Sequence, residues 1–540
     1  MNVRKALYLS PAIAIATLLF ASPAVPARAV PMAARPQNQA QILRPPYLLA
    51  PQVRLSWESF IKGPAGALRL KSLKAAITKM KSLNGSPKTS VSYRRSWEYW
   101  ANIHGYYGSQ SPDGTVADQI AYLQQNGLGS YASYYTGITD QLPPDATAVL
   151  IWATCQHSAG PGAQQANFFA WHRMYLYYFE RVLRWAANDK TLRLPYWDYT
   201  DPADLAMPAE FRNTGSVMYD AKRDPGMNNG TSTLSAAATN INTLLSNSNY
   251  FDYEYKIETG IHGYVHCTVG PTCPVAHMGD VPVAGNDPVF YHHHDNIDRL
   301  WACWQHLHPT PGGSWQTQQF SFVDETGTQV TKPVSAFVDE SKLGYVYENE
   351  TSCARPRFIP LNIRQGLALA AAVQGTVLGS TKSVAIKAPQ TSIDIAVPKP
   401  ALRRALVNLK TAGTTELVLR DVTADKPPGT LLNVYLVKKN SPATRQLVGT
   451  ISWFGSFRHH GQSGPAKQTY SYDVTAALRD LGGTAVSESG VSVVIEATTG
   501  REPADRSKLD AERTRAFSAF KAESNVRIGS VELRSAPPQK

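Results

Sequence analysis

The sequence is poor in cysteine, with five among its 540 residues, and the odd number leaves one without an intramolecular partner. Beyond the N-terminal region it lacks any segment long and apolar enough to cross a membrane. It also lacks an internal repeat of the 20–50-residue kind that builds solenoids and propellers. A chain of this length is too long for one core, so we expect two or three domains.

The sequence also lacks a dense basic run, although its formal net charge is +12. Residues 361–540 contain 24 Lys and Arg against 14 Asp and Glu, so most of the excess lies in the last third. These charges are scattered along alternating patterns, and no nucleic-acid-binding motif accompanies them. We interpret them as a solvated face and predict no nucleic-acid partner.

The first 29 residues have the pattern of an export signal. A basic start is followed by an apolar run from Leu7 to about Val25 and by the small-residue pattern Ala27-Arg28-Ala29. The alternative is a single membrane anchor, against which the proline residues and the small-residue end argue. We therefore predict an exported protein, periplasmic or secreted, with no stable membrane span after cleavage.

The pattern of the remaining chain changes near residue 355. Helical periodicity and aromatic residues are typical of residues 30–355, and residues 356–390 have the composition of a linker. Short β-patterned runs between residues 404 and 533 are separated by turn residues, and a charged helical segment interrupts the last pair. The chain is thus predicted to have a mainly α domain, a linker and, over residues 391–540, a C-terminal all-β sandwich.

Six of the thirteen histidines occur at helical positions from which their side chains could converge. They are His104, His157, His172, His262, His266 and His294. His262 and His266 are four residues apart, so in a helix both imidazoles leave the same face one turn apart. Imidazole ligands without thiolates or carboxylates suit copper or zinc, and also iron or nickel.

Two alternatives to copper are weakened by what is missing around these histidines. A zinc metalloprotease helix needs His-Glu-x-x-His with the glutamate as general base, but Gly263 follows His262. Non-haem iron would want a carboxylate among its ligands. Two consecutive groups of three imidazoles fit a pair of copper ions better.

Two motifs around these histidines resemble a known family. The segments His172–Arg181 (H-R-M-Y-L-Y-Y-F-E-R) and Asp287–Asp298 (D-P-V-F-Y-H-H-H-D-N-I-D) are similar to the copper signatures of tyrosinases, catechol oxidases and haemocyanins. The resemblance covers roughly residues 50–350 and implies an antiparallel four-helix bundle with a binuclear, type 3 copper centre. It assigns the first copper to His104, His157 and His172, and the second to His262, His266 and His294. His293 is the alternative to His294.

The cysteines suggest two disulfides. Cys267 and Cys273 flank a Gly-Pro turn and are the easiest pair to join, and Cys303 with Cys353 is the pair left by elimination.

The remaining cysteine precedes a predicted ligand. Cys155-Gln156-His157 resembles the Cys-x-His pair that fungal and molluscan members of the family join through a thioether. The alternative is a buried free thiol.

The residues beside the ligands are expected to tune the reaction. The positions are Glu258, Gly263, Val281 and Asp295. By resemblance, Glu258 matches a glutamate that holds a water in plant-like members, but Gly263 replaces the asparagine that is its usual partner. Val281 matches a gate position and leaves room above the copper pair.

Two further residues are expected to support the ligands. Phe168, one turn before His172, should pack on the ligand cage. Asp298 should orient an imidazole of its own helix or bond Arg299.

The rest of the chain resembles plant polyphenol oxidases. The segments Phe322–Val330 and Gly455–Phe457, together with the D-V-T-A-A-L-R-D-L-G motif, occur in the same order as in those proteins. The resemblance implies a C-terminal β domain that covers the copper site and keeps the enzyme latent. Arg54 with Tyr345 and Tyr347 is similar to an arginine and Tyr-x-Tyr pair that closes the catalytic domain.

The resemblance implies a copper phenol oxidase that uses O2 to convert o-diphenols to o-quinones and also ortho-hydroxylates monophenols. One alternative is a catechol oxidase without useful monophenolase activity, and another is a haemocyanin-like O2 carrier that keeps phenols out. The export signal, the single copper domain and Val281 favour the enzyme. Small phenols are the expected partners, and oligomerisation stays open.

Overall fold

A computed structural model describes residues 51–105, 116–137, 167–275, 277–351, 376–402, 414–439, 441–457, 467–482 and 490–536. The predicted export signal lies outside these ranges, as do Cys155, His157 and Cys353. Among the helices of the described ranges, none combines the length and apolar character that a membrane span requires.

The described part before residue 352 is mainly helical, and further helices follow in the C-terminal part. The helices are α1 (Trp57–Ile61), α2 (Gly63–Lys81), α3 (Val91–Arg94), α4 (Trp97–Gly105), α5 (Val116–Gln125), α6 (Phe168–Ala187), α7 (Ala209–Arg212), α8 (Pro225–Asn229), α9 (Asn242–Leu245), α10 (Tyr250–Ile257), α11 (Gly263–Val269), α12 (Val289–Leu307), α13 (Thr475–Asp480) and α14 (Leu509–Ala519). The strands are β1 (Gln52–Arg54), β2 (Ser232–Leu234), β3 (Gln319–Val323), β4 (Gln329–Pro333), β5 (Tyr345–Tyr347), β6 (Thr376–Ile386), β7 (Gln390–Asp394), β8 (Thr414–Val422), β9 (Leu431–Lys438), β10 (Ser441–Ile451), β11 (Gln468–Asp473), β12 (Val491–Thr498), β13 (Arg501–Pro503) and β14 (Val526–Ala536).

Helix α6 runs through the centre of the helical domain. Large apolar and aromatic residues surround most of its circumference, and most of its side chains are buried, which marks a core helix. The helix ends at Asn188, which takes the left-handed conformation (φ 50°) that asparagine tolerates at a helix end. Its buried Arg173 is held by Asp298 of α12 at 2.6 Å and lies 3.8 Å from the centre of the Trp301 ring. Helices α6 and α12 are therefore joined by a charged contact inside an aromatic core.

Helices α10 and α11 are joined by a π-helical turn, Glu258–His262. Gly260 departs from helical geometry within it (φ −89°, ψ −105°) and makes a local kink. Such turns are short, local distortions that often mark functional sites. His262 is the last residue of this turn, and His266 follows four residues later on α11.

The two ends of the helical domain are fastened together. Strand β1 pairs in parallel with β5, with Arg54 opposite Tyr347. Arg54 is fully buried, and its guanidinium donates to Glu180 at 2.9 Å and to Tyr347 at 3.0 Å, and lies 3.7 Å above the Tyr345 ring. Removing one partner of a buried ion pair costs about 3–5 kcal/mol because it leaves an unpaired buried charge, so a substitution of Arg54 should strongly destabilise the closed domain.

The C-terminal part forms a β domain of two four-stranded antiparallel sheets. Their strand orders are β10-β9-β12-β7 and β11-β8-β14-β6. Buried and half-buried residues largely alternate along β8 and β9, which is the pattern of strands that contribute one face to a shared core. The prediction of a mainly α domain followed by a C-terminal β sandwich is thus confirmed.

The predicted linker, residues 356–390, is wrong in its second half. Strand β6 lies within it and pairs with β14 from Ile386 to Thr376, so the β domain begins by residue 376. The error has a physical cause: β6 is an edge strand with mostly exposed or half-exposed residues, so its sequence lacks apolar alternation. The predicted strand at residues 404–409 lies outside the described ranges.

The β domain is held against the helical domain by several direct contacts. Strand β13 pairs with β2 of the helical domain to form a two-stranded antiparallel sheet. Arg501 contacts Asp224, and Lys256 donates to Glu416 at 2.5 Å. These contacts fix the β domain on the side of the molecule that carries α10 and α11.

One predicted disulfide is described in full. Cys267 and Cys273 are bonded, as predicted. Cys303 is also disulfide-bonded, whereas its predicted partner Cys353 lies outside the described ranges.

Candidate metal centre

Five of the six predicted ligand histidines come together inside the helical domain. They are His104 on α4, His172 on α6, His262 in the π-helical turn, His266 on α11 and His294 on α12. All five are buried, with at most 3% of any side chain exposed. The sixth, His157, lies outside the described ranges.

His104 is the last residue but one of α4, at the point where that helix meets the backbone of Pro282. The next residue, Gly105, lies against Pro282, and a Cβ at Gly105 would come 2.0 Å from the Pro282 carbonyl oxygen. Only glycine allows this approach. The close contact brings the His104 ring to the segment that begins at Val281.

His172 and His262 are each oriented by their own helical segment. His172 Nδ1 donates to the Phe168 carbonyl at 2.7 Å, and His262 Nδ1 donates to the Glu258 carbonyl at 3.0 Å. Both acceptors lie four residues earlier in the chain. Because a carbonyl can only accept, the proton is on Nδ1, and Nε2 keeps the lone pair that a metal needs.

His266 obtains the same tautomer from a different source. Its Nδ1 donates at 2.7 Å to the carbonyl of Met278, which lies in the loop that follows α11. Its orientation therefore depends on the position of that loop.

The run His292-His293-His294 separates into three environments. His292 Nδ1 donates to the Pro195 carbonyl at 2.6 Å, and its ring packs among aromatic side chains away from the other histidines. His293 Nδ1 contacts the Tyr199 hydroxyl at 2.8 Å. His294 stacks on His172, with ring centres 4.3 Å apart.

The nitrogens form two overlapping groups. His104, His172 and His294 make the first group, and His262, His266, His293 and His294 make the second, with one nitrogen of each member within 4.8 Å of the others. His294 belongs to both, and its Nε2 lies 3.4 Å from His266 Nε2. The alternative between His293 and His294 thus stays open at the second group.

The electrostatic environment keeps these imidazoles neutral. Burial lowers the pKa of His104 to about 3, with the Val281 backbone opposing the shift. Burial, reinforced by neighbouring imidazoles, lowers the pKa of His172, His266, His293 and His294 well below its ordinary value. Neutral histidine is the form that binds a metal, so the site is prepared for one at neutral pH.

Two nitrogens in the cluster have no hydrogen-bond partner within the described residues. They are Nε2 of His293 and Nδ1 of His294, and both are buried. Buried polar atoms are normally bonded, so such atoms call for a ligand. An all-imidazole donor set fits copper or zinc, and two groups sharing one residue fit a pair of ions.

Aromatic rings close the cluster on two sides. Phe168 lies 4.7 Å from His172 and 4.8 Å from His262, between ring centres, at the position expected of it. From the β domain, Phe454 stacks on His266 at 3.8 Å with an interplanar angle of 13° and meets His262 edge-on at 5.4 Å. Two histidines of the second group, His262 and His266, are therefore covered by a side chain from the β domain.

The loop that carries Phe454 is anchored on both domains. Ser452 contacts the Thr259 carbonyl at 3.4 Å and accepts a hydrogen bond from Tyr470 at 2.5 Å through its own carbonyl. Trp453 donates to the Thr430 carbonyl at 2.9 Å. Phe454 is thus presented by a fixed backbone.

Gly263 lies directly under this loop. A Cβ at Gly263 would come 2.4 Å from Ser452 Oγ and 3.5 Å from Ser452 Cβ. The small residue that was expected to tune the substrate therefore also makes room for the β domain.

Glu258 and Val281 lie beside the histidines, as the sequence predicts. Glu258 is buried, and its carbonyl orients His262. Val281 is buried at the start of a short 3₁₀ segment next to the His104 ring. One turn before Glu258, Glu254 accepts a hydrogen bond at 2.9 Å from the amide of Phe169, at the start of the helix that carries His172.

The expected roles of Asp295 and Asp298 need correction. Asp295, predicted to tune substrate choice, accepts instead from Arg54 at 2.6 Å and contacts the Tyr347 hydroxyl at 2.9 Å, and burial raises its pKa to about 8. It belongs to the closure of the domain because its helical position turns it away from the histidines.

Asp298 was predicted to orient an imidazole or to bond Arg299. Its oxygens accept instead from Arg173 at 2.6 Å, Tyr345 at 2.7 Å and Tyr347 at 2.6 Å. Arg299 donates instead to Asp198 at 2.5 Å. Neighbours in sequence diverge by about 100° around a helix, so Asp298 and Arg299 point to different partners.

Sequence reasoning missed three residues at the site, which are Tyr199, Met278 and Phe454. Met278 acts through its backbone, which leaves no signal in the side chain. The W-F-G-S-F pattern around Phe454, with aromatic residues flanking a turn inside a β domain, was a signal that could have been read.

Comparison with known proteins identifies a domain. The family model "Common central domain of tyrosinase" matches residues 94–229 and 208–307, which include the five clustered histidines. This part of the chain therefore contains a tyrosinase-type central domain. The chain is 30% identical over 227 residues to aureusidin synthase of Antirrhinum majus, covering 34% of this chain and 40% of that protein. It is 32% identical over 224 residues to a chloroplastic polyphenol oxidase of Malus domestica, covering 34% and 37%.

These two alignments span well under half the length of the family members that they match. A comparison of folds reaches further, since the structure of latent apple tyrosinase superposes with a TM-score of 0.52 and covers 90% of this chain and 97% of that one. At 18% identity this likeness concerns the fold alone, and it includes the C-terminal β domain.

Proposed function

We propose that this chain is a copper-dependent phenol oxidase that uses O2 to convert o-diphenols to o-quinones and that also ortho-hydroxylates monophenols. The observation that carries the proposal is the pair of buried, neutral imidazole groups that share His294. We assign His104, His157 and His172 to one copper ion, and His262, His266 and His294 to the other, with His293 as the alternative. When bound, a copper pair supplies O2 binding and two-electron oxidation.

The chain's own residues give that chemistry its setting. The Nδ1–H groups of His172, His262 and His266 donate to carbonyls, so that Nε2 of each ring faces inward. Phe168 packs on the rings and helps to exclude water. Glu258 is proposed to take up the phenolic proton or to hold the water that does so, because it is the acid nearest in sequence to His262.

The β domain is proposed to keep the enzyme latent. Phe454 lies on His266 and meets His262, and a phenol ring would need to approach the same histidines. Removal of the β domain should therefore admit substrate. The cleavage belongs between residues 352 and 375, upstream of β6, because a cut near residue 390 would leave β6 paired with β14.

Oxygen uptake tests the proposal. The copper-loaded full-length and cleaved proteins are given catechol in an oxygen electrode, and uptake is expected to be low before cleavage and high after it. Absence of uptake in both forms, together with reversible O2 binding, would replace the enzyme with a haemocyanin-like carrier.

Monophenol hydroxylation is tested separately with tyrosine and catechol as paired substrates. Gly263 occupies the position at which plant-like relatives have the asparagine that partners Glu258, which favours the alternative of a catechol oxidase. Val281 leaves access to the copper pair open, which favours monophenol hydroxylation. Gly263→Asn in the cleaved protein, where Ser452 no longer packs on that position, should raise the tyrosine-to-catechol ratio. An unchanged ratio would refute the assigned role of Gly263.

We also propose that the protein is exported. The N-terminal pattern of residues 1–29 supports this proposal, and so does the Cys267–Cys273 disulfide, because disulfides persist in oxidising compartments. The relatives include chloroplastic proteins, so export would be a difference from them. Fractionation of the producing cells, with N-terminal sequencing of the mature chain, distinguishes export from retention.

A further inference from the structure

A chain of hydrogen bonds lies behind the loop that follows α11. His277 Nδ1 donates to Asp220, and its Nε2 lies 2.7 Å from the Tyr131 hydroxyl. Burial opposes ionisation of Asp220, but the hydrogen bonds from His277 and the Lys222 amide outweigh it and lower the pKa of Asp220. An ionised carboxylate only accepts, so the Nδ1 proton belongs to His277. We call these three residues, Asp220, His277 and Tyr131, the His277 clamp.

The clamp holds an unusual backbone. His277 has φ +59°, in the left-handed region that residues with a side chain rarely adopt. Such conformations persist where the surroundings over-determine them, and they concentrate at functional sites. Here the determinants are the two side-chain contacts of the clamp and a hydrogen bond at 2.8 Å from the Asp280 amide to the His277 carbonyl.

The residue after His277 orients a candidate metal ligand. The Met278 carbonyl accepts the Nδ1–H of His266 at 2.7 Å. His172 and His262 instead use carbonyls four residues earlier in their own segments, which helical geometry supplies. The acceptor of His266 is twelve residues away in sequence, so it must be held in place by other means.

The loop has little freedom to absorb a change at His277. A Cβ at Gly279 would come 2.4 Å from the Thr272 carbonyl oxygen, and one at Gly270 would come 2.6 Å from the Gly279 amide nitrogen. The backbone at Gly279, next to Met278, is thus in direct contact with the backbone at Gly270 and Thr272. A displacement of His277 is expected to reach the Met278 carbonyl.

We propose that Asp220, His277 and Tyr131 are positioning residues that hold the Met278 carbonyl in place and thereby orient His266 for the second metal ion. The inference rests on the proposed copper-binding function and adds to it three residues outside the histidine cluster. Residues that orient metal ligands typically contribute a factor of 10–100 to metal affinity.

The test counts copper ions and requires no substrate. The copper-loaded full-length protein is titrated with a chelator, and retained copper is measured per chain. Tyr131→Phe removes one hydroxyl of the clamp. His277→Asn introduces a residue that tolerates the left-handed region but is too short to make both contacts of the clamp. His277→Gly removes the ring and also the backbone strain at this position. Each variant should lose its second copper at about 10-fold lower chelator concentration, with the first ion retained as in the unmodified protein.

His308→Asn is the matched control. His308 is a half-buried histidine that contacts the Leu245 carbonyl at 2.9 Å and has no part in the clamp. Its substitution should leave both chelator midpoints unchanged. Thermal unfolding of every variant verifies the fold, and the conservative Tyr131→Phe keeps the test valid if a change at His277 prevents folding.

The outcomes separate the two proposals. An unmodified protein that retains two copper ions, with clamp variants that lose the second ion early, supports the inference. Clamp variants with unchanged midpoints would overturn the inference while leaving the proposed function intact. An unmodified protein that cannot hold two copper ions would overturn the proposed function itself.

Discussion

The two histidine groups are built in different ways. In the first group, His104 and His172 are placed by α4 and α6, and the carbonyl that orients His172 belongs to its own helix. In the second, His266 depends on the loop carbonyl of Met278 and is covered by Phe454 of the β domain. A helix fixes the first arrangement as it forms, whereas the second is completed only by long-range contacts. The second group is therefore where regulation and fine adjustment can act.

The largest expected effect is at His294, the residue that the two groups share. His294→Ala should reduce copper at both sites and lower o-diphenol oxidation by about 100-fold or more, because a lost ligand exceeds the loss caused by an orienting neighbour. His293→Ala should affect the second site alone. Copper per chain and O2 uptake are measured for both variants. Equal copper losses in His294→Ala and His293→Ala would show that His294 is not shared between the two groups.

The next effect is at Phe454, where the β domain meets the second group. Phe454→Ala in the full-length protein should raise catechol oxidation about 2- to 10-fold without cleavage, because a stacked aromatic contact contributes about 0.5–1.5 kcal/mol to closure. Phe457→Ala is the control, since that ring packs on Trp453 at 5.7 Å instead of on a histidine. Equal activation by both variants would assign latency to the loop as a whole.

A smaller effect is expected at the contact between Gly263 and Ser452. In the full-length protein, Gly263→Asn should loosen the β domain and speed its proteolytic release, whereas Gly263→Ala should be milder because Ser452 Oγ can rotate away. Adding Ser452→Gly should restore slow release to the Asn variant. Limited proteolysis provides the measurement, and a double variant released as fast as Gly263→Asn alone would contradict steric conflict at this position.

A separate effect, on the apo-protein alone, is a dependence of its stability on pH. Burial lowers the pKa of His104 to about 3 and of His292 to about 4, below the ordinary value of about 6.5 that applies on unfolding. The unfolded chain therefore binds more protons below pH 6.5, so this stability is complete above pH 6.5 and is lost as pH falls toward 4 and 3. Each such histidine contributes up to about 1.4 kcal/mol per pH unit to the loss.

Denaturant unfolding of the apo-protein at pH 7 and pH 5 measures this dependence. Bound copper should oppose it, because a ligand that binds the folded state stabilises that state. A stability that rises on acidification would contradict the sign derived from the buried histidines.

The sequence predicted the parts of the site that repeat a local pattern. The spacing of four that places His262 and His266 on one face follows from helical periodicity. His172 and His294 were assigned through the resemblance of their motifs to the copper signatures of the family. The β runs from Thr414 onward follow from alternation. These features depend on neighbours in the chain, so a single sequence carries them.

The missed features depend on contacts between distant residues. Met278 contributes a carbonyl, which any residue could supply, and β6 is an exposed edge strand without alternation. Asp295 turns toward Arg54, 241 residues away in sequence, so its partner could not be inferred from spacing. The choice between His293 and His294 also depends on how α12 is rotated in the assembled core.

The parallel pairing of β1 with β5 has a consequence for how the chain matures. Because the first and last strands of the helical domain pair with each other, and Arg54 binds them to α6 and α12, the closure of this domain ends at Tyr347, ahead of the β domain. A protease that acts between the two domains should therefore release a closed helical domain. Synthesis as one chain would then deliver the proposed phenol oxidase together with its own proposed, removable inhibitor.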